Sequence, residues 1–295
     1  METRKLHPVF AAEVTGVNAA HEPSPETVEF IERAMAEYAV VVLPGQGHVT
    51  DERHAEFSRF FGPRETPAGV ASGHTTKKYR LGRYMFDASN LDVDGSLLPA
   101  DHPRRRMRAG DALWHTDSSF NPMPTKWSML RAVAVPPEGG TTEFADCRAA
   151  YDHLDEDTKT GIENLAAEHS LWTSRRRAGF EDVTEERMEG LPPVIHPLVR
   201  TIPRSGRKAI YVGAHAGRVY GLPPGEGEAL LQRLTAFATQ PKYVYAHRWK
   251  VGDIVIWDNR AVLHRAGKFE GTHRHPRDMR RTTVDEFQPS WALLG

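Results

Sequence analysis

The chain has 295 residues, of which 38 are Lys or Arg and 39 are Asp or Glu, so its formal net charge is -1. This balance gives no electrostatic reason to expect nucleic acid or an anionic membrane as the main partner. The hydrophobic fraction of 39% and the twelve Phe, six Trp and eight Tyr residues are typical of a folded globular core and exclude a disordered chain.

The single cysteine, Cys147, excludes an intrachain disulfide and a cysteine-based metal cluster. The first residues lack the apolar run of a signal peptide, and no stretch approaches the roughly eighteen apolar residues of a membrane span. We therefore expect a cytoplasmic protein in a reducing compartment, with neither a membrane nor nucleic acid as a partner. We also expect the chain to form a homo-oligomer.

The first sixty residues predict two helices and a buried strand. Ser24 followed by proline is typical of a helix start, and the apolar spacing that follows predicts a helix to about Glu37. The β-branched run at residues 39–43 predicts a buried strand. Residues 51–61 predict a second helix, which a Gly-Pro pair ends.

Residues from about 66 to 112 show little sustained periodicity. A long irregular stretch inside a compact domain is usually functional or mobile, so we interpret it as a lid-like insertion in a single domain covering residues 1–295. The segment contains Lys77, Lys78 and a basic run at residues 104–106, and for each of these an exposed, solvated side chain is the commoner role.

Short strands recur beyond this segment, interrupted by a few helices. Because turns join most of the strands, the pattern favours a mainly β fold, an antiparallel sandwich or open barrel with helical insertions, over a doubly wound parallel sheet. The chain has no GxGxxG or GxxxxGKS loop, which argues against a nucleotide-binding fold. The predicted strands are 128–135, 141–144, 208–212, 243–249, 254–257 and 280–284, and the predicted helices are 149–154, 157–166 and 225–239.

An imidazole and a carboxylate lie two residues apart at His115 and Asp117. On an extended strand these positions face the same way, so both side chains can bind one cation. His264, which follows a predicted strand, is the candidate third ligand. Two imidazoles and one carboxylate leave three adjacent octahedral positions open, which suits Fe(II) with a bidentate cosubstrate and O2.

Two arginines follow, Arg277 and Arg281, four residues apart and therefore on one face of a strand. Inward-facing guanidinium groups are costly unless anions meet them. A dicarboxylate cosubstrate and an anionic substrate would supply such anions. The alternative is that both are surface arginines paired with Asp278 or Glu286.

The combination resembles the TauD/TfdA family of Fe(II)/2-oxoglutarate-dependent dioxygenases. An HTD motif, a WDNRxxxH motif and an arginine thirteen residues later carry the resemblance, which extends through residues 43–46, 60–63, 139–144, 196–201 and 205–208. Within the family the chain is most similar to the aryloxyalkanoate (2,4-dichlorophenoxyacetate) branch, through residues 114–120, 148–152 and 213–216.

The resemblance implies a double-stranded β-helix core of the jelly-roll, cupin-like kind. It also implies roles for individual residues: iron ligands at His115, Asp117 and His264, 2-oxoglutarate contacts at Arg277 and Thr142 with Trp257 as a pocket wall, and a substrate anion on Arg281. His196 and His215 lie near predicted strand ends, where a structural histidine is the commoner case. The small neighbours of His215 make it the better candidate for a substrate contact.

Family chemistry couples the decarboxylation of 2-oxoglutarate to succinate and CO2 with hydroxylation of an unreactive C–H bond. In an aryloxyacetate, hydroxylation beside the ether oxygen gives a hemiacetal that collapses to a phenol and glyoxylate. We expect the substrate ring to pack against the 66–112 segment. Open alternatives are a sulfonate such as taurine, a natural-product carboxylate, a non-catalytic binding protein, and a zinc hydrolase, although no HExxH motif is present.

Overall fold

The computed structural model describes residues 1–66, 80–102, 104–105, 108–181, 183–269 and 273–287. Its α-helices are α1 (Pro25–Tyr38), α2 (Asp51–Ser58), α3 (Cys147–Asp152), α4 (Glu156–Ile162), α5 (Leu171–Arg177), α6 (Glu185–Gly190) and α7 (Pro224–Ala238). Its strands are β1 (Glu2–Lys5), β2 (Ala12–Thr15), β3 (Val40–Leu43), β4 (Phe86–Asp87), β5 (Thr125–Ala134), β6 (Thr142–Asp146), β7 (Ala166–His169), β8 (Val194–Pro197), β9 (Val199–Thr201), β10 (Lys208–Ile210), β11 (Ala216–Val219), β12 (Val244–His247), β13 (Ile254–Asp258), β14 (Val262–Ala266) and β15 (Asp278–Asp285).

A seven-stranded sheet with the order β1-β2-β3-β13-β5-β15-β4 forms the larger layer. A three-stranded sheet, β12-β6-β14, forms the second layer, and the two sheets share one apolar core. The other described sheets have the orders β11-β7-β8 and β10-β9. Within these sheets β2 pairs with β3 in parallel and the other pairs are antiparallel. The mainly β fold with helical insertions that the sequence predicts is confirmed.

Strand β3 explains why its sequence is apolar without alternation. Val40 and Val42 belong to the core between the two layers, whereas Val41 and Leu43 pack under α1 on the opposite face of the large sheet. Because successive side chains of a strand point to opposite faces, a strand covered on both sides must be apolar throughout. The neighbouring β13 follows the same rule, and its Trp257 points into the inner core.

The first helix begins and ends where the sequence predicts. Ser24 accepts a hydrogen bond from the backbone N–H of Thr27, with proline at the first helical position. At the other end Ala39 adopts a left-handed conformation with φ 57°, and its N–H donates to the carbonyl of Met35. The helix buries Ile31 and Met35 against the outer face of the large sheet.

The prediction of a helix over residues 157–166 is wrong at its C-terminal end. Helix α4 ends at Ile162, just after Gly161, and Ala166 begins β7. Pairing with β8 gives this segment long-range hydrogen bonds that a helix could not make, and glycine is a weak helix former. The predicted second helix likewise ends at Ser58, after which residues Arg59–Phe61 form a 3-10 turn.

Over the part of the chain that the structure describes, none of the helices combines the length and apolar character that crossing a membrane requires.

His54 in α2 is fully buried, with its Nε2 3.4 Å from the Thr282 hydroxyl. Burial, assisted by the charge of Arg131, lowers the pKa of His54 to about 3. The folded state therefore stays unprotonated at this site below pH 6.5, while the unfolded chain binds a proton there.

We expect this difference to lower the free energy of unfolding by about 1.4 kcal/mol for each pH unit between pH 6.5 and about 3. His54→Gln should make the pH dependence shallower by that slope, measured by urea unfolding between pH 6.5 and 5. The exposed His21 provides the matched control variant, His21→Gln. An unchanged slope in His54→Gln would contradict the buried neutral histidine.

Candidate metal centre and ligand cavity

The structure brings His115, Asp117 and His264 together, with their ligand atoms all within 4.8 Å of one another. Two reciprocal backbone hydrogen bonds set this arrangement, from His115 N–H to the His264 carbonyl (3.0 Å) and from His264 N–H to the His115 carbonyl (2.8 Å). The two histidines therefore face each other across an antiparallel bridge. His115 and His264, which are 149 residues apart in sequence, meet here with Asp117 as three candidate donors for one ion.

Neighbouring groups orient both imidazoles. His115 Nδ1 lies 2.7 Å from the carbonyl oxygen of Leu113, which leaves its Nε2 for a metal. The His264 ring packs against Trp257, with ring centroids 4.8 Å apart, and stacks on Phe144 at 6.2 Å. Aromatic packing thus restricts the rotation of the third ligand.

The carboxylate of Asp117 is 5% exposed and engaged at both oxygens. Ser128 Oγ donates to Oδ2 at 2.7 Å, and Nη1 of Arg281 donates to Oδ1. Burial alone would raise the pKa of Asp117, but Arg281, the two histidines and the Ser128 hydrogen bond outweigh it and place the pKa well below its ordinary value. Asp117 is therefore ionised at neutral pH.

Burial has the opposite effect on His264, whose pKa it lowers well below 6.5, assisted by the neighbouring His115. A neutral imidazole and an ionised carboxylate are the forms in which these side chains bind metals. Two nitrogen donors and one buried carboxylate match the donor set that suits Fe(II) and leave coordination positions open. The residues present therefore fit the metal that the sequence predicts.

The three donors open onto a cavity of about 510 Å³. The other residues that the sequence predicts for this site all lie on its wall: Thr142, His215, Trp257, Arg277 and Arg281. The size falls within the range of small-molecule sites, and the wall combines apolar surface with a few convergent charges.

Arg277 is held by Asn90, a residue that lies in the irregular 66–112 segment. The Arg277 backbone N–H donates to Asn90 Oδ1 (2.7 Å), while Asn90 Nδ2 donates to the carbonyl of His275 (2.9 Å). Gly140 leaves room for the arginine, because a Cβ there would lie 3.3 Å from Arg277 Nε and its φ of +66° is rare for other residues. Thr142 accepts a hydrogen bond from Trp249 Nε1 (3.0 Å), so its hydroxyl proton can serve a ligand.

Arg281 differs from the sequence-based expectation in one respect. We expected its charge to need an external anion, but its guanidinium donates to Asp117 and lies 4.6 Å from the centre of the Phe86 ring. Arg281 nevertheless lines the cavity, with its side chain 17% exposed. An anion in the cavity would therefore share this arginine with the carboxylate of a candidate metal ligand.

His215 lies on a turn that packs closely against the chain segment containing Trp114 and His115. Gly213, with φ +115°, lets this turn approach closely, because a Cβ would lie 2.8 Å from Leu263 Cδ2 and 3.0 Å from the Trp114 carbonyl. Arg177 donates to the carbonyls of Ala214 (3.0 Å) and Ala216 (2.7 Å) and clamps the turn from the other side. His215 therefore has a fixed place on the cavity wall.

The two histidines left open by the sequence have different surroundings. The His215 ring lies 4.9 Å from the Phe120 ring, and burial lowers its pKa to about 3, so it is neutral. His196 is fully buried, and its Nε2 lies 2.7 Å from the carbonyl oxygen of Ser119, away from the cavity wall. His196 thus has structural surroundings, whereas His215 is placed to contact a ligand.

The 66–112 segment contributes several wall residues, among them Phe86, Ala88, Asn90 and Arg105. Arg105 therefore differs from the solvated role that its basic run predicts, and Arg104 pairs with Asp87 at 3.1 Å. Lys77 and Lys78 lie outside the described residues. The wall also contains Phe120, Leu171, Arg175 and Phe269, which lie on loops and a short helix where the sequence pattern does not assign individual side chains to the cavity.

Replacing Asp117 with alanine should abolish tight metal binding, since two imidazoles alone remain as donors. We expect Co(II) affinity to fall by more than about a hundredfold, because even residues that only support a ligand contribute ten- to a hundredfold. Titration of metal-free protein with Co(II) measures this, and circular dichroism checks the fold. Asp111→Ala, which also alters a cavity carboxylate, is the control and should bind Co(II) normally; equal affinity in both variants would contradict the assignment.

Residues 2–283 match the family model described as taurine catabolism dioxygenase TauD, TfdA family. The chain is 43% identical to the alpha-ketoglutarate-dependent 2,4-dichlorophenoxyacetate dioxygenase of Cupriavidus pinatubonensis (strain JMP 134 / LMG 1197), over 95% of this chain and 96% of that protein. It resembles the crystal structure of AAD-2 in complex with Mn(II) and N-oxalylglycine, with TM-score 0.90, 42% identity and coverage of 98% and 99%. A taurine dioxygenase from Burkholderia xenovorans is less similar, with TM-score 0.74, 27% identity and coverage of 98% and 92%.

These similarities confirm the double-stranded β-helix, jelly-roll fold that the resemblance implied. They also confirm the enzyme class and the cofactors expected from the motifs. The chain belongs to the TauD/TfdA family and is a dioxygenase that depends on Fe(II), 2-oxoglutarate and O2.

Proposed function

We propose that the enzyme oxidises an anionic aryl substrate, an aryloxyalkanoate, and cleaves its ether to a phenol and glyoxylate. The observation that carries this proposal is the cationic Arg281 beside the metal-binding carboxylate, in a cavity whose remaining wall is partly aromatic. The greater similarity to a 2,4-dichlorophenoxyacetate dioxygenase (43% identity) than to a taurine dioxygenase (27%) supports the same substrate class.

His115, Asp117 and His264 would hold Fe(II), which supplies the activation of O2 when bound. Arg277 and the Thr142 hydroxyl, which both line the cavity, would bind the distal carboxylate of 2-oxoglutarate, with Trp257 as a wall of that pocket. A guanidinium and a hydroxyl recognise a carboxylate through charge-assisted hydrogen bonds. The protein thereby orients the cosubstrate, while the buried site limits access of water.

In the proposed substrate complex, the carboxylate of the aryl acid pairs with Arg281. The ring then lies against Phe86 and Phe120, with the neutral His215 beside Phe120 as a further contact. This arrangement would direct the carbon next to the ether oxygen toward the metal. Aromatic wall residues favour such a ring, whereas taurine would use only the charge of Arg281.

The reaction balances without a further reagent. One oxygen atom of O2 enters succinate as 2-oxoglutarate loses CO2, and the other converts the C–H bond beside the ether oxygen to C–OH. The resulting hemiacetal breaks its bond to the aryl oxygen, which takes the hydroxyl proton and leaves as a phenol. The remaining fragment of an aryloxyacetate is glyoxylate.

A zinc hydrolase is the less favourable function for this site. The glutamate base of the HExxH zinc hydrolases has no counterpart among the described wall residues. Hydrolysis would also leave the cavity arginines without a role. A sulfonate or a natural-product carboxylate remains the alternative for the same iron chemistry.

The proposal also covers the protein's organisation. We propose a single dioxygenase domain over residues 1–295 whose lid-like segment, at about 66–112, covers the substrate, and a homo-oligomer located in the cytoplasm. Light scattering after size-exclusion chromatography tests the assembly directly.

Arg277→Ala should raise the KM for 2-oxoglutarate far more than that for the primary substrate. Loss of a hydrogen bond to a charged group is worth about 1.5–3 kcal/mol, or about ten- to a hundredfold. Succinate release at varied 2-oxoglutarate measures the effect, and Arg248→Ala, at an exposed arginine outside the cavity, is the control. Equal changes in both KM values would count against this role for Arg277.

Substrate class is tested by competition between phenoxyacetate, 2,4-dichlorophenoxyacetate and taurine in one reaction. We expect the aryl acids to be consumed first, because the wall offers aromatic contacts as well as one cation. Arg281→Gln should weaken aryl-acid binding about ten- to a hundredfold while the KM for 2-oxoglutarate changes little. Preferential turnover of taurine, or an Arg281→Gln enzyme with unchanged aryl-acid affinity, would refute the aryl-acid proposal and leave the family assignment intact.

A further inference from the structure

A chain of hydrogen-bonded, buried side chains contacts Asp117 at its backbone and its carboxylate. Asn259 and Ser128 are both fully buried, and neither is among the cavity wall residues. Buried polar groups are costly unless they are fully hydrogen-bonded. We propose that Asn259 and Ser128 are positioning residues that hold Asp117 for the metal and couple it to Trp257 of the 2-oxoglutarate pocket.

The chain consists of four hydrogen bonds. Asn259 Oδ1 accepts from the backbone N–H of Asp117 (3.0 Å) and from Trp257 Nε1 (3.0 Å). Asn259 Nδ2 donates to Ser128 Oγ (3.0 Å), and Ser128 Oγ donates to Asp117 Oδ2 (2.7 Å). The amide of Asn259 thus contacts both ends of the ligand residue, its backbone directly and its carboxylate through Ser128.

The chemistry of the groups determines the direction of this chain. A backbone N–H and an indole N–H can only donate, so the Asn259 atom that both contact must be the oxygen. Its NH2 group then donates to Ser128 Oγ. The one hydroxyl proton of Ser128 is therefore directed to Asp117 Oδ2, which accepts it. The donors in this network thus follow one path, which ends at the Asp117 carboxylate.

The two residues sit on the rigid part of the fold. Ser128 lies in β5 directly opposite Trp257 of β13, and Asn259 follows β13, where its N–H donates to the carbonyl of Lys126 (2.9 Å). Both strands are interior to the seven-stranded sheet. A support built on central strands holds a side chain more accurately than one built on loops.

The chain also determines the orientation of the carboxylate plane. Ser128 occupies Oδ2, the oxygen that lies 3.6 Å from His264 Nε2, while Arg281 contacts Oδ1. Without Ser128, Asp117 would keep only the Arg281 contact, and the carboxylate could rotate toward the arginine. We therefore expect Arg281 to draw the ligand away from the metal in a variant that lacks this hydroxyl.

The inference rests on the proposed metal site and is tested by metal binding, without turnover. Ser128→Ala and Asn259→Ala should each weaken Co(II) binding about ten- to a hundredfold, as is usual for residues that support a ligand. The visible absorption of bound Co(II), which reports coordination geometry, should also change. Because part of the effect of Asn259 reaches the carboxylate through Ser128, the double variant should lose less Co(II) affinity than the two single losses combined would predict.

Two further variants separate positioning from a general loss of stability. Ser128→Thr keeps the hydroxyl and should retain the Co(II) absorption of the parent protein. Ser58→Ala removes an equally buried hydroxyl, one that donates to the Ala55 carbonyl outside the cavity, and should leave Co(II) affinity unchanged.

Parent-like Co(II) affinity and absorption in both Ser128→Ala and Asn259→Ala would overturn the inference while leaving the metal site intact. A parent protein that fails to bind Co(II) would overturn the proposed metal site and this inference together. Weakened Co(II) binding in both variants, with thermal midpoints like that of Ser58→Ala, is the expected result.

Discussion

The backbone pairing of His115 with His264 is the constraint on which the site depends. Its two hydrogen bonds join the segment of the HxD pair to β14, and so place an imidazole from each segment beside the same carboxylate. The turn that begins at Asp117 then brings its carboxylate close to both imidazoles. The donor set is thus a product of strand pairing, supported by the packing of Trp257 and Phe144 around His264.

The charge of Arg281 determines the state of the Asp117 carboxylate beside this histidine pair. Asp117 is ionised because Arg281 and the donors around it outweigh the cost of burial. Arg281 therefore has two roles in our account, since it neutralises a metal ligand and faces the space where we place the substrate. A substrate anion bound to Arg281 would relax its hold on Asp117, so substrate and metal should bind with favourable coupling. Arg277, which lines the same cavity, is held through its backbone N–H by Asn90.

How much the sequence could predict depends on the range of the interactions involved. The spacing of His115 and Asp117 is local, and so is the capping of α1 by Ser24, and both features were predictable from neighbouring residues. His264 and Arg277 were accessible through motifs, because their contacts are formed by distant segments. The pairing of Arg281 with Asp117 was not predicted, since strand geometry shows which face a side chain occupies but not which group it meets there.

The residues that the sequence missed share a physical reason. Asn90 holds Arg277 through the arginine's backbone N–H, while Asn259, just after β13, and Ser128, in the adjacent β5, hold Asp117. Polar residues of this kind have no periodicity and acquire their role only when strands pair. The end of α4 at Ile162 was missed because pairing of the next segment with β8, a distant strand, competes with local helix propensity.

The central claim is that this cavity couples oxidation of 2-oxoglutarate to cleavage of an aryl ether. The most direct measurement incubates the enzyme with Fe(II), 2-oxoglutarate and 2,4-dichlorophenoxyacetate under O2 and quantifies three products in the same sample. We expect succinate, 2,4-dichlorophenol and glyoxylate in equal amounts, and no phenol when either Fe(II) or 2-oxoglutarate is omitted. Succinate formed without phenol, or phenol formed without 2-oxoglutarate, would contradict it.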